Sequence, residues 1–346
     1  MKETLFGKTL DELITVAAET GLPGYSARQL AEWLYKKQVD DIEMMTNLSK
    51  NARAKLNEKY ILGLSPHKSV QKSSDGTIKY LFPARDGKFI ESAFIPDKER
   101  ATLCVSSQVG CKMGCLFCMT GKQGFQGQLS PGEILNQIHC LPEKERLTNI
   151  VYMGMGEPFD NLDNVLKSIE ILTAEWGYAM SPRRITVSTI GIIPAMKEFL
   201  DKSEAHLAVS LHSPFEEDRM KLMPVENVYP LQDVINLIKD FDWTGQRRVS
   251  FEYIMFKGLN DTDRHIKELS RLLNGMKCRI NLIRFHSIPD TPLESSDETS
   301  ILSFRDKLSA KGIITTIRAS RGQDIYAACG LLSTRELIKG DSDPDY

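Results

Sequence analysis

Three cysteines within eight residues, Cys111-Lys112-Met113-Gly114-Cys115-Leu116-Phe117-Cys118, have the residue types and spacing to do chemistry. A single cysteine is ordinarily a small buried hydrophobe. Three at spacings of four and three, with Gly110 and Gly114 to fold the loop back, converge their sulfurs instead. Converging thiolates bind soft metals, either an iron–sulfur cluster or zinc. Structural zinc wants a fourth ligand, often from a second Cys-x2-Cys pair. The other cysteines, Cys104, Cys140, Cys278 and Cys329, stand singly. Three thiolates on a four-iron cluster leave one iron open to a substrate or cofactor. A thiol-redox loop on Cys115-x2-Cys118 is the third reading, and it has no use for Cys111.

Such a loop needs a scaffold, and from Ala101 onward extended and helical runs alternate. The strands expected are Thr102–Ser106, Asn149–Met153, Arg184–Ser188, His206–Leu211, Val249–Ile254, Arg279–Ile283 and Ile313–Ile317. Between them lie helical stretches at Pro131–His139, Leu162–Glu175, Ile193–Leu200, Leu231–Phe241, Asp263–Leu273 and Ile301–Ala310. Alternation of this kind makes an α/β fold of parallel strands with crossover helices, whose chemistry sits at the strand C-termini. Ahead of it, Ile78–Phe82 and Phe89–Ile95 flank an Asp86-Gly87 turn and read as a hairpin. Residues 8 to about 60 read as three short helices, opened by Thr9 or Lys8, by Ser26 and by Ser49. The expected units are a helical domain at 1–62, a hairpin linker at 63–100, a barrel at 101–332 and a tail at 333–346, disordered at its acidic end.

The 346 residues are 41% hydrophobic and 26% charged, as in a globular protein with a large core and an accessory unit. There is no apolar run of about 18 residues and no apolar leader after Met1, which together point to a cytoplasmic, membrane-free protein. A net charge of −2 does not announce a nucleic-acid binder. Basic residues concentrate from Lys50 to Lys79, which reads as a solvated helix face, and as Arg183-Arg184, Arg247-Arg248, Arg318 and Arg321, each a surface charge by itself but together able to meet phosphates.

The Cys-x3-Cys-x2-Cys loop with Phe117 before its last cysteine resembles that of radical S-adenosylmethionine (SAM) enzymes. Further strings narrow the likeness: Thr102-Leu103-Cys104-Val105-Ser106-Ser107-Gln108-Val109-Gly110-Cys111, Gly154-Met155-Gly156-Glu157-Pro158, Ser188-Thr189-Ile190-Gly191, Ser210-Leu211-His212 and Asp324-Ile325-Tyr326-Ala327-Ala328-Cys329-Gly330. From about Leu5 to Leu332 the chain is similar to the dual-specificity 23S rRNA and tRNA adenine C2-methyltransferases. The resemblance implies a partial (β/α)6 barrel and a 4Fe-4S cluster on Cys111, Cys115 and Cys118, whose open iron holds SAM. It further implies cofactor contacts from Gly156, Glu157, Ser188, Ser210, Leu211, His212 and Asn281. Cys329 would carry the methyl group as S-methylcysteine, from which a 5′-deoxyadenosyl radical takes hydrogen before the carbon adds to adenine C2. Cys104 would release the product by attacking the Cys329 sulfur, leaving a disulfide. Glu91 would move a proton at the adenine; taken alone it reads as a solvated strand carboxylate. The implied partners are 23S rRNA, tRNA and an electron donor such as flavodoxin. Pro158 is like the C2 enzymes, whereas Ser213-Pro214-Phe215 and Ile192-Ile193-Pro194 are similar to their C8-methylating relatives. A zinc-stabilised, non-catalytic RNA-binding module is the competing class.

Overall fold

In a computed structural model, residues 2–245 and 247–334 are described. Ten strands form one sheet: β1 Ser69–Lys72, β2 Ile78–Pro83, β3 Phe89–Asp97, β4 Arg100–Cys104, β5 Asn149–Tyr152, β6 Ile185–Thr189, β7 His206–Ser210, β8 Val249–Met255, β9 Cys278–Arg284 and β10 Ile314–Ile317. Each strand lies beside the one before it in sequence. β1 to β4 pair antiparallel, and β4 to β10 pair in parallel. All seven strands expected of the barrel are present within two residues of their expected ends, and each parallel crossover carries its expected helix.

Alternation along these strands separates two environments. Ile150, Tyr152, Val187, Leu207, Val209, Phe251, Tyr253, Ile280 and Leu282 are buried in a core with helix residues Leu135, Val165, Phe199, Ile235, Leu269 and Phe304. The other face carries Cys104, Ser188, Ser210, Glu252 and Asn281, all of which line a cavity. A closed barrel of this kind fills its interior with branched apolar side chains. Here the inward positions are small and polar, so the interior stays open.

The hairpin is not a separate linker: β3 runs on to pair with β4, and β1 adds an edge strand that the polar sequence Ser69–Lys72 did not announce. The N-terminal helices span Leu10–Glu19, Ser26–Ala31 and Lys50–Lys59. Thr9 and Glu12 form a capping box on the first, and Ser49 caps the third. Ser26 is not a cap: it is buried inside the second helix, which Tyr25 precedes without a side-chain bond and a π-turn at Glu32–Lys36 extends. Leu5, Phe6 and Tyr35 share the barrel's core, so this unit packs on the outer helices. No helix among the described residues is long and apolar enough to cross a membrane. Ser333 and Thr334, assigned to the tail, are buried, and 335–346 lie outside the described residues.

The far ends of the sheet meet. Ser73 Oγ and the Ser74 N–H, in the β1–β2 turn, donate to the Asp324 carboxylate at 2.6 and 3.1 Å. The Gly322 N–H donates back to Asp75 Oδ2 at 2.9 Å. Past β10, the chain therefore closes over the open side of the sheet and brings Cys329 with it.

Candidate active site

The cysteine loop leaves the C-terminal end of β4. Its fold rests on Gly110, whose φ is +72° and where a Cβ would sit 1.7 Å from the Gly124 carbonyl oxygen. Only glycine lets Gln108–Val109 pair with Gly127–Gln128 there. The Leu116 N–H donates to the Leu222 carbonyl at 3.0 Å, and the Met119 N–H to that of Gly330 at 2.8 Å, tying Cys118 to the segment of Cys329. Phe117 meets the His212 ring edge-on at 4.7 Å.

Cys111 and Cys115 are 8% and 9% exposed, and Cys118 is half-buried. Burial pushes the Cys111 thiol up to about 12, and raises Cys115 and Cys118 as well; their mutual repulsion adds to it. The protein alone does not ionise these thiols, so the charge that stabilises three thiolates must come from what they bind. Among the described residues no three such side chains converge as one metal ion would require. The sulfurs of a four-iron cluster ligate separate irons, and three soft thiolates on one loop are a donor set that such a cluster can use.

Gly154 and Gly156 lie in the loop that follows the next strand, β5. A Cβ at Gly154 would meet Ser106 Oγ and the Val105 carbonyl at 2.7 Å, and one at Gly156, with φ +100°, the Gln108 Cβ at 2.5 Å. Their smallness thus serves close packing on the segment leading to the cysteines, and both also line the cavity. Glu157 follows, 4% exposed. Its Oε1 accepts from the Phe159 N–H and its Oε2 from the Ile190 N–H, both at 3.1 Å. Burial still lifts its pKa to about 7. An ammonium brought to this carboxylate would restore the charged form.

His212 adopts φ +56°, and its buried Nδ1 accepts from the Ile254 N–H at 3.0 Å. Its ring hydrogen therefore sits on Nε2, and burial lowers its pKa to about 3. Asn281 Nδ2 donates to Glu252 Oε1 at 2.7 Å, and Thr316 Oγ1 donates to Asn281 Oδ1 at 2.7 Å.

Cys104, 6% exposed at the end of β4, is pushed up to about 12 by burial and then by Cys329, with Arg318 opposing. Arg318 Nη1 donates to Met153 Sδ at 3.2 Å and stands 3.9 Å from Glu252 Oε2, which accepts no hydrogen bond. All seven cysteines are free, so the implied Cys104–Cys329 disulfide is not formed. Cys140 donates to Asn136 Oδ1, and both it and Cys278 are half-buried away from the cavity.

One cavity of about 640 Å³ gathers Cys104, Cys111, Cys115, Cys118, Gly156, Glu157, Ser188, Ser210, His212, Asn281 and Cys329. Two expected residues stay out of its lining. Leu211 is a core residue whose backbone N–H donates to the Glu252 carbonyl. Glu91 is not solvated: 1% exposed, it pairs with Lys79 at 2.9 Å and accepts from the Ser333 N–H at 2.9 Å. Glu252 and Arg318 do line the cavity. A carboxylate in the middle of the apolar strand Val249–Met255 was the sign by which Glu252 could have been found.

The radical SAM superfamily model matches residues 105–271, and the ribosomal RNA large subunit methyltransferase N-terminal domain model matches 4–62. A probable dual-specificity RNA methyltransferase RlmN of Parabacteroides distasonis is 60% identical over 97% of this chain and 98% of its own length. A dual-specificity RNA methyltransferase RlmN of Syntrophus aciditrophicus is 43% identical over 95% of this chain and 96% of its own. The crystal structure of a radical SAM methyltransferase from Sphaerobacter thermophilus superposes with a TM-score of 0.89 at 40% identity, covering 95% of this chain and 99% of that one.

Proposed function

The chain belongs to the RlmN family of radical SAM RNA methyltransferases, and within that activity on rRNA and tRNA we propose how its residues divide the work. The observation that carries the reading is one cavity lined by both the three-cysteine loop and the Cys104/Cys329 thiols. Cys111, Cys115 and Cys118 hold a 4Fe-4S cluster. When bound, cluster and SAM would supply a radical that takes hydrogen from a methyl carried on Cys329, so that this carbon can add to an aromatic carbon that polar methyl transfer would leave untouched.

Glu157 accepts from the cofactor's ammonium, Ser188, Ser210 and His212 line its path, and Asn281, fixed by Glu252 and Thr316, meets its adenine. Cys329 is the methyl carrier, and its neighbours Ala327, Ala328 and Gly330 leave room for a bulky reactant. Cys104 attacks the Cys329 sulfur to free the methylated base, forming a disulfide. Its proton must leave first, and Arg318 is the cation that favours the thiolate. Glu91 keeps the proton role that the resemblance implies, although it lies outside the cavity lining, tied by its ion pair with Lys79 and its bond from the Ser333 N–H to the segment carrying Cys329. The position methylated is C2, the target adenine leaves its stack to enter the cavity, the electron donor is a flavodoxin-like protein, and the setting is cytoplasmic.

Nuclease digestion and mass spectrometry of RNA from cells with and without the gene test this. Loss of 2-methyladenosine is expected; loss of 8-methyladenosine alone would move the reading to C8. Purified Cys104→Ala should carry covalently bound RNA and Cys329→Ala none. RNA-free Cys104→Ala protein with normal turnover would refute both thiol roles.

A further inference from the structure

The cavity has a second end. It runs from the cysteine loop down the inner face to the opposite, N-terminal ends of the strands, where Arg183, His206, Arg248 and Arg279 line it. Arg183 precedes β6, His206 opens β7, Arg248 precedes β8 and Arg279 is the second residue of β9. Period-two alternation puts Arg279 on the face of Asn281, Arg248 on that of Glu252, and His206 on that of Ser210. Four residues of β9 separate Arg279 from Ile283, roughly 13 Å of strand. One end of the cavity is therefore thiol-lined and the other is basic.

We propose that this basic rim seats the phosphodiester backbone of the RNA substrate, an inference that rests on the chain being an RNA methyltransferase. The three arginines differ from most others among the described residues. Arg53, Arg219, Arg271, Arg284, Arg305 and Arg321 each face a carboxylate within 4.0 Å. Arg183, Arg248 and Arg279 make no side-chain hydrogen bond or ion pair among the described residues, and the nearby Asp97 is already paired with Arg321 at 3.6 Å. Arg247 marks the contrast: it donates to the Ala205 and Leu200 carbonyls at 3.1 and 2.8 Å and serves the fold. Its neighbour Arg248 uses only its backbone: the N–H donates to His206 Nδ1 and the carbonyl accepts from the Leu207 N–H, both at 3.1 Å. Arg248 and Arg279, on the adjacent strands β8 and β9, lie within a Debye length, about 10 Å at moderate salt, and Arg183 extends the same unneutralised charge along the rim. His206 registers that field, its protonation disfavoured by burial and then by Arg248, Arg247, Arg183 and Arg279.

The spread selects the anion. From β6 to β9 there are three interstrand spacings, roughly 14 Å at 4.8 Å each. One small anion cannot engage forks so separated, whereas consecutive backbone phosphates can, each held by a planar guanidinium. With a chain charge of −2, attraction for RNA must come from such a local concentration. The geometry also suits a flipped base, with the adenine inside the cavity toward Cys329 and its backbone at the mouth.

The test uses anaerobically reconstituted full-length protein, a labelled tRNA transcript and a single-stranded RNA oligomer, with affinity read by fluorescence anisotropy across a potassium chloride series. Each lost phosphate contact should lower the slope of log affinity against log salt by about 0.7. The triple variant Arg183→Gln/Arg248→Gln/Arg279→Gln should therefore lose about 2 from that slope and bind at least about tenfold more weakly at moderate salt. Arg264→Gln/Arg271→Gln/Arg305→Gln removes the same charge from outer helices and should leave the slope nearly unchanged. An unaltered slope in the rim variant, or an equal loss in the control, overturns the proposal. So does a rim variant that loses only binding of inorganic pyrophosphate. Iron content and SAM binding show whether the variant is intact; should it lose iron, the single variants Arg248→Gln and Arg279→Gln carry the test. If wild-type protein methylates RNA while the rim variant binds it normally, this inference fails alone; if wild-type methylates no RNA, the reading beneath it fails.

Discussion

A carboxyl sealed from water prefers its proton, and Glu157 shows how far that preference goes before a ligand arrives. Its folded pKa, near 7, lies above the unfolded value of 4.5. The folded state therefore binds the extra proton between those values, and stability present below 4.5 is lost as pH rises through 7. The gap corresponds to about 3 kcal/mol at 1.36 kcal/mol per unit. His212 works the other way: its pKa, lowered to about 3, contributes stability above 6.5 that is lost as pH falls toward 3. Between pH 4.5 and 6.5 the two opposing dependences offset each other. Urea unfolding of reduced, cluster-free protein should therefore show Glu157→Gln losing stability on acidification more steeply than wild type. It should also hold its stability better than wild type from pH 6 to 8. A wild-type-minus-variant difference that is constant with pH would show that burial does not govern this carboxyl.

At the scale of elements, the short helix Glu216–Leu222 links the cysteine loop to the sheet. Arg219, fully buried, pairs with buried Glu226 and donates to the Ile190 and Ser210 carbonyls at 2.8 and 3.2 Å, just beyond β6 and at the end of β7. The same helix offers the Leu222 carbonyl to Leu116. Arg219→Met leaves Glu226 charged and unpaired in the interior, which costs about 3–5 kcal/mol. Arg219→Met/Glu226→Gln should recover part of that, since Gln can still accept from the Leu231 N–H as Glu226 does. Chemical denaturation gives the stabilities, and iron content after reconstitution should fall with the single variant. Equal stability of single and double variants would mean that the stranded charge is not the cause. This helix was not legible in the sequence, because its seven residues, Glu216-Glu217-Asp218-Arg219-Met220-Lys221-Leu222, show too little apolar periodicity. The long amphipathic helices and the seven apolar strands were legible, because length and period agree there. Edge strand β1 was not, since it buries little and alternates only polar residues with Val70.

Across the whole molecule, legibility followed sequence distance. The cysteine loop is local and could be read from spacing, whereas the approach of Cys329 to Cys104 crosses more than two hundred residues and entered only through resemblance to a family. What the sequence could not convey is how the last turn of chain comes back. The Asp324 and Asp75 carboxylates do this, holding Ser73, Ser74 and Gly322, and the Ala327 N–H then closes on the Gly322 carbonyl at 2.8 Å. Gly322 has no freedom to be larger, since with φ +62° a Cβ would sit 2.8 Å from that of Ala327. These bonds lie at the surface, so removing one should change global stability little and local opening a great deal. Asp324→Ala should therefore leave the unfolding midpoint nearly unchanged. It should speed alkylation of Cys329 by iodoacetamide several-fold in cluster-free protein, with Cys104 modified no faster. Amide exchange should rise over 320–332 and not in β6–β9. If Cys104 accelerates equally, the opening is that of the whole cavity, and the Asp324 latch does not act on the Cys329 segment alone.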